Sequence, residues 1–228
     1  MKKICFIFCH GFGFDSSFWQ PLIPWFSGQE LVFWDLGYFA DESLPIIDTE
    51  SFDYIGIGHS LGFMKLLSLK IPFQALIGLN GFINFLGFET TLRQQRTREW
   101  ISLKKHFQRN PNATLTQFYQ RVGVTVDLHT KSKINHEKLM QDFAFLATTE
   151  KLGLDYPVLL LSSAEDSIVP KKIIEDNFLN QSSIMLETIG QQQTQTPVPH
   201  GLGYLHSDWV FQRIQHHLLR AGRTSNHL

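Results

Sequence analysis

One junction constrains this chain more than any other stretch. An apolar run that reads as a strand, Phe52–Ile57, leads directly into Gly58-His59-Ser60-Leu61-Gly62, and an apolar helical pattern follows from Leu61 to Leu69. A strand that turns into a helix this abruptly forces the residue at the turn into a strained backbone conformation. Glycine fits at 58 and 62, because side chains there would meet the crossing strand and helix. The turn lifts the Ser60 oxygen out at the carboxyl edge of a sheet. It also leaves the Leu61 N–H at a helix N-terminus, aimed where negative charge would collect on a reacting carbonyl oxygen. Ser60 is therefore a candidate nucleophile, and the setting it needs is a parallel sheet flanked by helices.

The rest of the chain supplies that setting. Candidate strands are Lys3–Cys9, Glu30–Trp34, Tyr54–Gly58, Ala75–Leu79, Val158–Ser162 and Ile184–Glu187. Each is short, apolar and bounded by Gly, Pro, Asn or Asp, as strands buried on both faces are. Candidate helices are Ser17–Phe26, Leu61–Lys70, Lys171–Phe178 and Ser207–Leu219. The alternation predicts an α/β fold with a mostly parallel central sheet. A length of 228 residues suits one domain over 1–228. The stretch Phe82–Glu150 breaks the rhythm. It reads as helices only, one ending near Arg109 before Asn110-Pro111 and another over Thr114–Arg121, which predicts a helical lid over about 82–150. Gln191–Thr196 reads as a low-complexity loop and Ala221–Leu228 as a frayed tail.

Twenty basic and twenty-one acidic residues give a net charge of -1, which argues against a nucleic-acid or membrane-surface binder. That sum hides an asymmetry. Phe82–Glu150 holds ten Lys/Arg and six Asp/Glu, while the remainder holds ten and fifteen, so a basic lid sits on an acidic body. No apolar run approaches the ~18 residues of a membrane span. Lys2-Lys3 before Ile4–Cys9 imitates a signal peptide, but this apolar stretch falls short of the roughly 7–15 residues of a signal core. Cys5 and Cys9 lie about 13 Å apart on the first strand and cannot pair with each other, so buried thiols in a cytoplasmic protein are expected. No metal-ligand spacing appears, and neither a metal nor a cofactor is expected. The chain is taken as a monomer.

A serine at such a turn needs a base and an acid from later strands. The strand ending at Ser162 runs into Ser163-Ala164-Glu165-Asp166-Ser167-Ile168-Val169-Pro170, where Asp166 in its D-x-x-V-P context is preferred to the competing Glu165. Among ten histidines, His200 stands apart. It lies in a Gly/Pro loop between the last strand and the terminal helix, with His206 as runner-up. Directly after the first strand, His10-Gly11-Phe12-Gly13 makes a turn whose Phe12 N–H can join that of Leu61 in binding an oxyanion.

With these residues in this order the chain resembles the α/β-hydrolases over nearly its full length. Within them it is most similar to the pimeloyl-acyl-carrier-protein methyl ester esterases of biotin synthesis. The likeness rests on HGFGFDSSFW at the start, on LRQQRTREW and NPNATLTQFYQR in the insertion, on LDYPVLLLSSAEDSIVPKK, and on the pair His200 and His206. The resemblance implies a Ser60/Asp166/His200 triad that cleaves a methyl ester while the pimeloyl chain stays on its acyl carrier protein. The same triad would also serve an esterase or thioesterase for short acyl groups with no carrier partner. At 100° per residue, Leu92–Arg109 places Leu92, Trp100, Leu103 and Phe107 on one face and Arg98, Lys105 and Arg109 on the other. Arg93 flanks the apolar stripe and Arg96 falls on its apolar side. Because acyl carrier proteins are strongly acidic, these five arginines and lysines are the expected carrier-binding residues. The chain departs from its relatives at Phe63, where a small residue is usual, at Asp35–Phe39, and in the long Gln/Thr-rich loop before His200.

Overall fold

A computed structural model of the chain describes residues 2–131, 133–148, 154, 156–178 and 183–222. Six strands form one sheet: β1 Lys3–Cys9, β2 Glu30–Trp34, β3 Phe52–His59, β4 Phe73–Leu79, β5 Val158–Ser163 and β6 Ile184–Ile189. Their order is β2-β1-β3-β4-β5-β6, and every neighbouring pair is parallel. All of β5 and the last five residues of β1 are buried, which is why these segments read as unbroken apolar runs. The expected strands are all present: β1 and β2 have their expected bounds, and the other four run longer. β3 starts at Phe52 because Phe52 pairs with Lys3, so the ladder extends past the apolar stretch into polar residues.

The expected helix over Ser17–Phe26 is instead two 3-10 turns, Ser16–Trp19 and Ile23–Phe26. Pro21 and Pro24 remove the amide donors a continuous helix would use. Helix α1, Leu61–Ser68, stops short of Lys70, whose φ is +52°. Between β4 and β5 the chain forms α2 Thr90–Arg109, α3 Pro111–Val122, a 3-10 turn Leu128–Thr130 and α4 His136–Phe145. α3 begins earlier than Thr114 because Pro111 occupies its first turn and the Asn110 side chain accepts from the Ala113 N–H. The expected lid end at Glu150 and most of the expected tail lie outside the described residues. α5 Lys171–Phe178 precedes β6, and the Gln-rich segment after it makes a short helix, α6 Gln191–Thr194, where a loop was expected. α7 Leu202–Leu205 and α8 Ser207–Arg220 complete the chain.

The chain winds from β1 outward to β2, then crosses back to β3 and proceeds the other way. That reversal opens a crevice beyond the carboxyl ends of β1 and β3, between the turn at Phe12 and the turn at Ser60. The lid closes over it on an aromatic anchor. The Phe12 ring lies 6.0 Å from Phe107 of α2, 5.9 Å from Phe118 of α3 and 5.7 Å from Phe143 of α4. Each such pair adds about 0.5–1.5 kcal/mol beyond burial. Cys5 and Cys9 are free and buried, and burial pushes the Cys5 thiol up to about 11, so it is not a reactive thiolate. Among the described residues no helix is long and apolar enough to cross a membrane, and no cluster of metal-ligating side chains occurs.

Candidate active site

The turn after β3 leaves no room for any side chain but hydrogen at its two glycines. A Cβ on Gly62 would sit 2.0 Å from the Cys9 carbonyl oxygen, and one on Gly58 would sit 2.5 Å from the Phe63 Cα. Between them Ser60 is held at φ 54° and ψ -119°, a conformation that L residues avoid. Its N–H donates to the Leu79 carbonyl at 2.9 Å, which pins the turn to β4. Phe63 is accommodated by glycines across from it: a Cβ on Gly78 or Gly81 would lie 2.8 Å from its ring. The Leu61 N–H is the first of α1 and has no partner within its own helix. After β1, the Phe14 N–H closes a turn on the Gly11 carbonyl at 3.4 Å, with Gly13 at φ 74°.

The His200 Nδ1 lies 2.6 Å from Asp166 Oδ2. Both side chains are buried. The other carboxylate oxygen, Oδ1, accepts from the Ile168 N–H at 2.7 Å and the Val169 N–H at 2.9 Å, so the Asp166 loop is closed on its own acid. With Nδ1 donating, Nε2 carries the lone pair. That Nε2 is buried and has no hydrogen-bond partner. Glu165, the competing acid, is exposed and turned away. Its Oε1 accepts from the Gln191 N–H at 3.0 Å and its Oε2 from the Val198 N–H at 3.2 Å, which fastens the Gln-rich segment. His206, the runner-up, sits between α7 and α8 as the cap residue of both.

Two residues given no role in the sequence reading deliver His200. The His200 carbonyl accepts from His59 Nε2 at 3.0 Å and from Asn80 Nδ2 at 2.9 Å. Asn80 Oδ1 accepts from the Ser163 N–H at 2.9 Å, and Ser163 Oγ donates to the Pro199 carbonyl at 3.0 Å. The ends of β3, β4 and β5 thus grip the loop that carries His200. Asn80 sits at φ 49°, and His59 is fully buried, its ring stacked 4.3 Å from Phe18 and tilted against His200 at 4.8 Å. Burial first, and His200 second, push His59 well below the ordinary histidine value, so it is neutral. The positive φ of Asn80 has no unambiguous sequence signal, and His59 occupies the variable position of the Ser60 motif.

No family model matches this chain, and no curated protein matches it. Solved structures do. MenH from S. aureus aligns with a TM-score of 0.72 at 13% identity, covering 97% of this chain and 96% of that one. A bromoperoxidase from Bacillus anthracis aligns at 0.71 and 13%, covering 96% and 92%. An esterase from Exiguobacterium antarcticum aligns at 0.72 and 10%, again covering 96% and 92%. This chain has the α/β-hydrolase fold. In that fold a serine on a strand-to-helix turn is followed in chain order by an acid and a histidine, the order found here in Ser60, Asp166 and His200.

Under the lid of this α/β-hydrolase fold lies a cavity of about 480 Å³ that Ser60 and Phe12 both line. Its walls are largely aromatic and aliphatic, including Phe82, Trp100, Phe107 and Phe143. Of the five expected carrier-binding residues, Arg98, Lys105 and Arg109 are exposed on α2. Arg93 is half-buried and donates to the Gly87 carbonyl at 3.2 Å. Arg96 does not join them on the surface. It falls on the side of α2 that faces the cavity and is only 8% exposed.

Proposed function

We propose that this chain is a serine carboxylesterase that hydrolyses the methyl ester of a pimeloyl chain held on acyl carrier protein, in the cytoplasm, through an acyl-Ser60 intermediate. The observation that carries the chemistry is the Asp166–His200 pair, whose buried and unpartnered Nε2 belongs to the loop packed against the Ser60 turn. In the first half-reaction Nε2 takes the Ser60 proton as Oγ attacks the ester carbonyl. The N–H groups of Phe12 and Leu61 receive the oxyanion. Asp166 stabilises the imidazolium, which then gives its proton to the departing methanol. In the second half-reaction His200 takes a proton from water as the hydroxide attacks the acyl-serine, and the imidazolium then returns that proton to Ser60 Oγ as the free acid leaves. Ser60 and Nε2 are not hydrogen-bonded to each other, a contact that commonly tightens only in the complex with substrate.

The esterase among the structures of similar fold supports the reaction type. The sequence likeness and the exposed Arg98, Lys105 and Arg109 support the carrier. Two measurements test the reading. A fluorophosphonate probe should label the protein and fail to label Ser60→Ala; a protein that does not label has no activated serine. The gene should also restore growth without biotin to an auxotroph lacking its pimeloyl ester esterase, and Ser60→Ala should not. Labelling without rescue, from well-expressed protein, would assign the site to short acyl esters with no carrier partner.

A further inference from the structure

Two arginines of the lid enter the cavity that Ser60 lines, and the mechanism above uses neither. Arg96 of α2 is 8% exposed. Its Nη1 donates to Glu99 Oε2 at 3.0 Å, its Nη2 to the Ile168 carbonyl at 3.0 Å, and its guanidinium lies 4.3 Å from the centre of the Phe85 ring. A guanidinium has five N–H donors, and here the buried Nε has no acceptor at all. Arg121 of α3 lines the same cavity and donates to the Ser167 carbonyl at 2.7 Å. Lys172 is a third cation on this wall, and Glu99 is its one acidic side chain among the described residues. Each Arg96 Nη has used one of its two N–H groups, and Arg121 and Lys172 are exposed at the same wall, so the otherwise aromatic chamber is matched by a ligand that brings an oxygen acceptor to this cationic side.

Building on the esterase reading, we infer that Arg96 and Arg121 form a polar subsite for the far end of the acyl chain. The cavity then selects esters that carry a second carbonyl or carboxylate over plain alkanoyl esters. Arg96 is a specificity-determining residue and touches no reacting atom. A chain tethered through a thioester brings a carbonyl oxygen to this subsite, and a free half-ester of a dicarboxylic acid brings a carboxylate. The shared chemistry is the oxygen acceptor.

The test uses the full chain and three methyl esters of similar size. Monomethyl pimelate ends in a carboxylate, dimethyl pimelate in an ester carbonyl, and methyl octanoate in a methyl group. At least one oxygenated ester should exceed methyl octanoate in kcat/KM by about tenfold or more, because a site built to hydrogen-bond a group rejects analogues that lack it. The ester that wins identifies the acceptor. Arg96→Met keeps the stem and removes the donors, and should bring the ratio to within about twofold of one. Both substrates meet the same folded molecules, so the ratio does not depend on how much of the variant folds. Arg121→Gln should lower the ratio as well. A wild-type protein without preference, or a ratio unchanged in both variants, overturns the inference and leaves Arg96 as a brace for the Asp166 loop. Fluorophosphonate labelling without hydrolysis of any of the three also overturns it. Absence of both labelling and hydrolysis overturns the esterase reading itself, and the inference falls with it.

Discussion

His200 and Asp166 meet through one short hydrogen bond, Nδ1 to Oδ2 at 2.6 Å, and the second carboxylate oxygen is already committed to two amides of its own loop. This arrangement allows the carboxylate no way to reorient, so it fixes the tautomer of the ring. Asp166→Asn keeps Oδ1 for Ile168 and Val169 and presents an NH2 to His200. The ring must then accept at Nδ1 and carry its proton on Nε2, the atom that receives one from Ser60 in the proposed mechanism. The expected result is a fall in kcat of about 10⁴ with a melting temperature close to wild type. Steady-state kinetics on a chromogenic ester checks it, and a loss below tenfold would remove Asp166 from the proposed mechanism.

Asn80 acts on the same histidine from the other side, through its backbone. Asn80→Ala removes the bonds to Ser163 and to the His200 carbonyl, and leaves a non-glycine residue at positive φ. Displacement of a catalytic group by about 1 Å costs roughly 10²-fold in rate, so kcat should fall by about that factor while KM changes little. Asn80→Gly separates the two effects. It relieves the backbone strain without restoring the hydrogen bonds, and should be more stable than Asn80→Ala yet equally slow.

His59 makes folding sensitive to acid. Its folded-state value is depressed, first by burial and then by His200, while in the unfolded chain it titrates near 6.5. Below that pH the unfolded chain binds a proton that the native protein refuses. The stabilisation is therefore complete above about pH 6.5 and is lost as pH falls, by up to about 1.4 kcal/mol per pH unit for this one group. Burial shifts His217 in the same direction, which adds to the slope. Urea unfolding from about pH 7.5 to about pH 5.5 should show the decline, and His59→Gln, which retains a donor for the His200 carbonyl, should flatten it.

What the sequence revealed follows from how local each feature is. The six strands and the turn at Ser60 are encoded in consecutive residues: buried parallel strands need unbroken apolar runs, and the turn needs glycines at 58 and 62. Periodicity misleads where a short-range rule competes with it, as where Pro21 and Pro24 split an expected helix into two turns. Illegible features were those set by residues far apart in the chain. Asn80 and Ser163 are 83 positions apart, and nothing near either one signals the contact. Arg96 was placed on the apolar side of its helix by periodicity, but its partner, the Ile168 carbonyl, is 72 positions away. In the sequence, the preference for Asp166 over Glu165 rests on the D-x-x-V-P context alone. In the structure Asp166 contacts His200, while Glu165 is occupied with the amides of Gln191 and Val198.

Phe63 is a departure whose compensation can be measured. Its ring fills space left by Gly78, where a Cβ would come within 2.8 Å of Phe63 Cδ2 and 2.7 Å of Leu160 Cδ2. Gly78→Ala should destabilise by about 1–3 kcal/mol through overpacking, and Phe63→Ala by about 3–5 kcal/mol through the cavity it leaves. The double variant should be more stable than the sum of the two losses, with a coupling of about 0.5–3 kcal/mol. Additive losses would show that Leu160, and not Phe63, sets the limit at Gly78.

The carrier reading makes a prediction that separates surface charge from the chemistry. Arg98, Lys105 and Arg109 are exposed on α2, away from the apolar side that lines the cavity. Reversing all three to Glu should leave a small chromogenic ester turned over at close to the wild-type rate, since none of them lines the cavity with Ser60. On an ester carried by an acidic acyl carrier protein, kcat/KM should fall by at least about tenfold, through slower association more than through slower chemistry. Added salt should slow the wild type on the carried substrate, because charges more than about 10 Å apart are screened at roughly 0.1 M ionic strength, and should slow the reversed variant far less. Equal losses on both esters would mean that the substitutions disturb the lid. Absence of a loss on the carried ester would place any carrier contact elsewhere than on this face of α2.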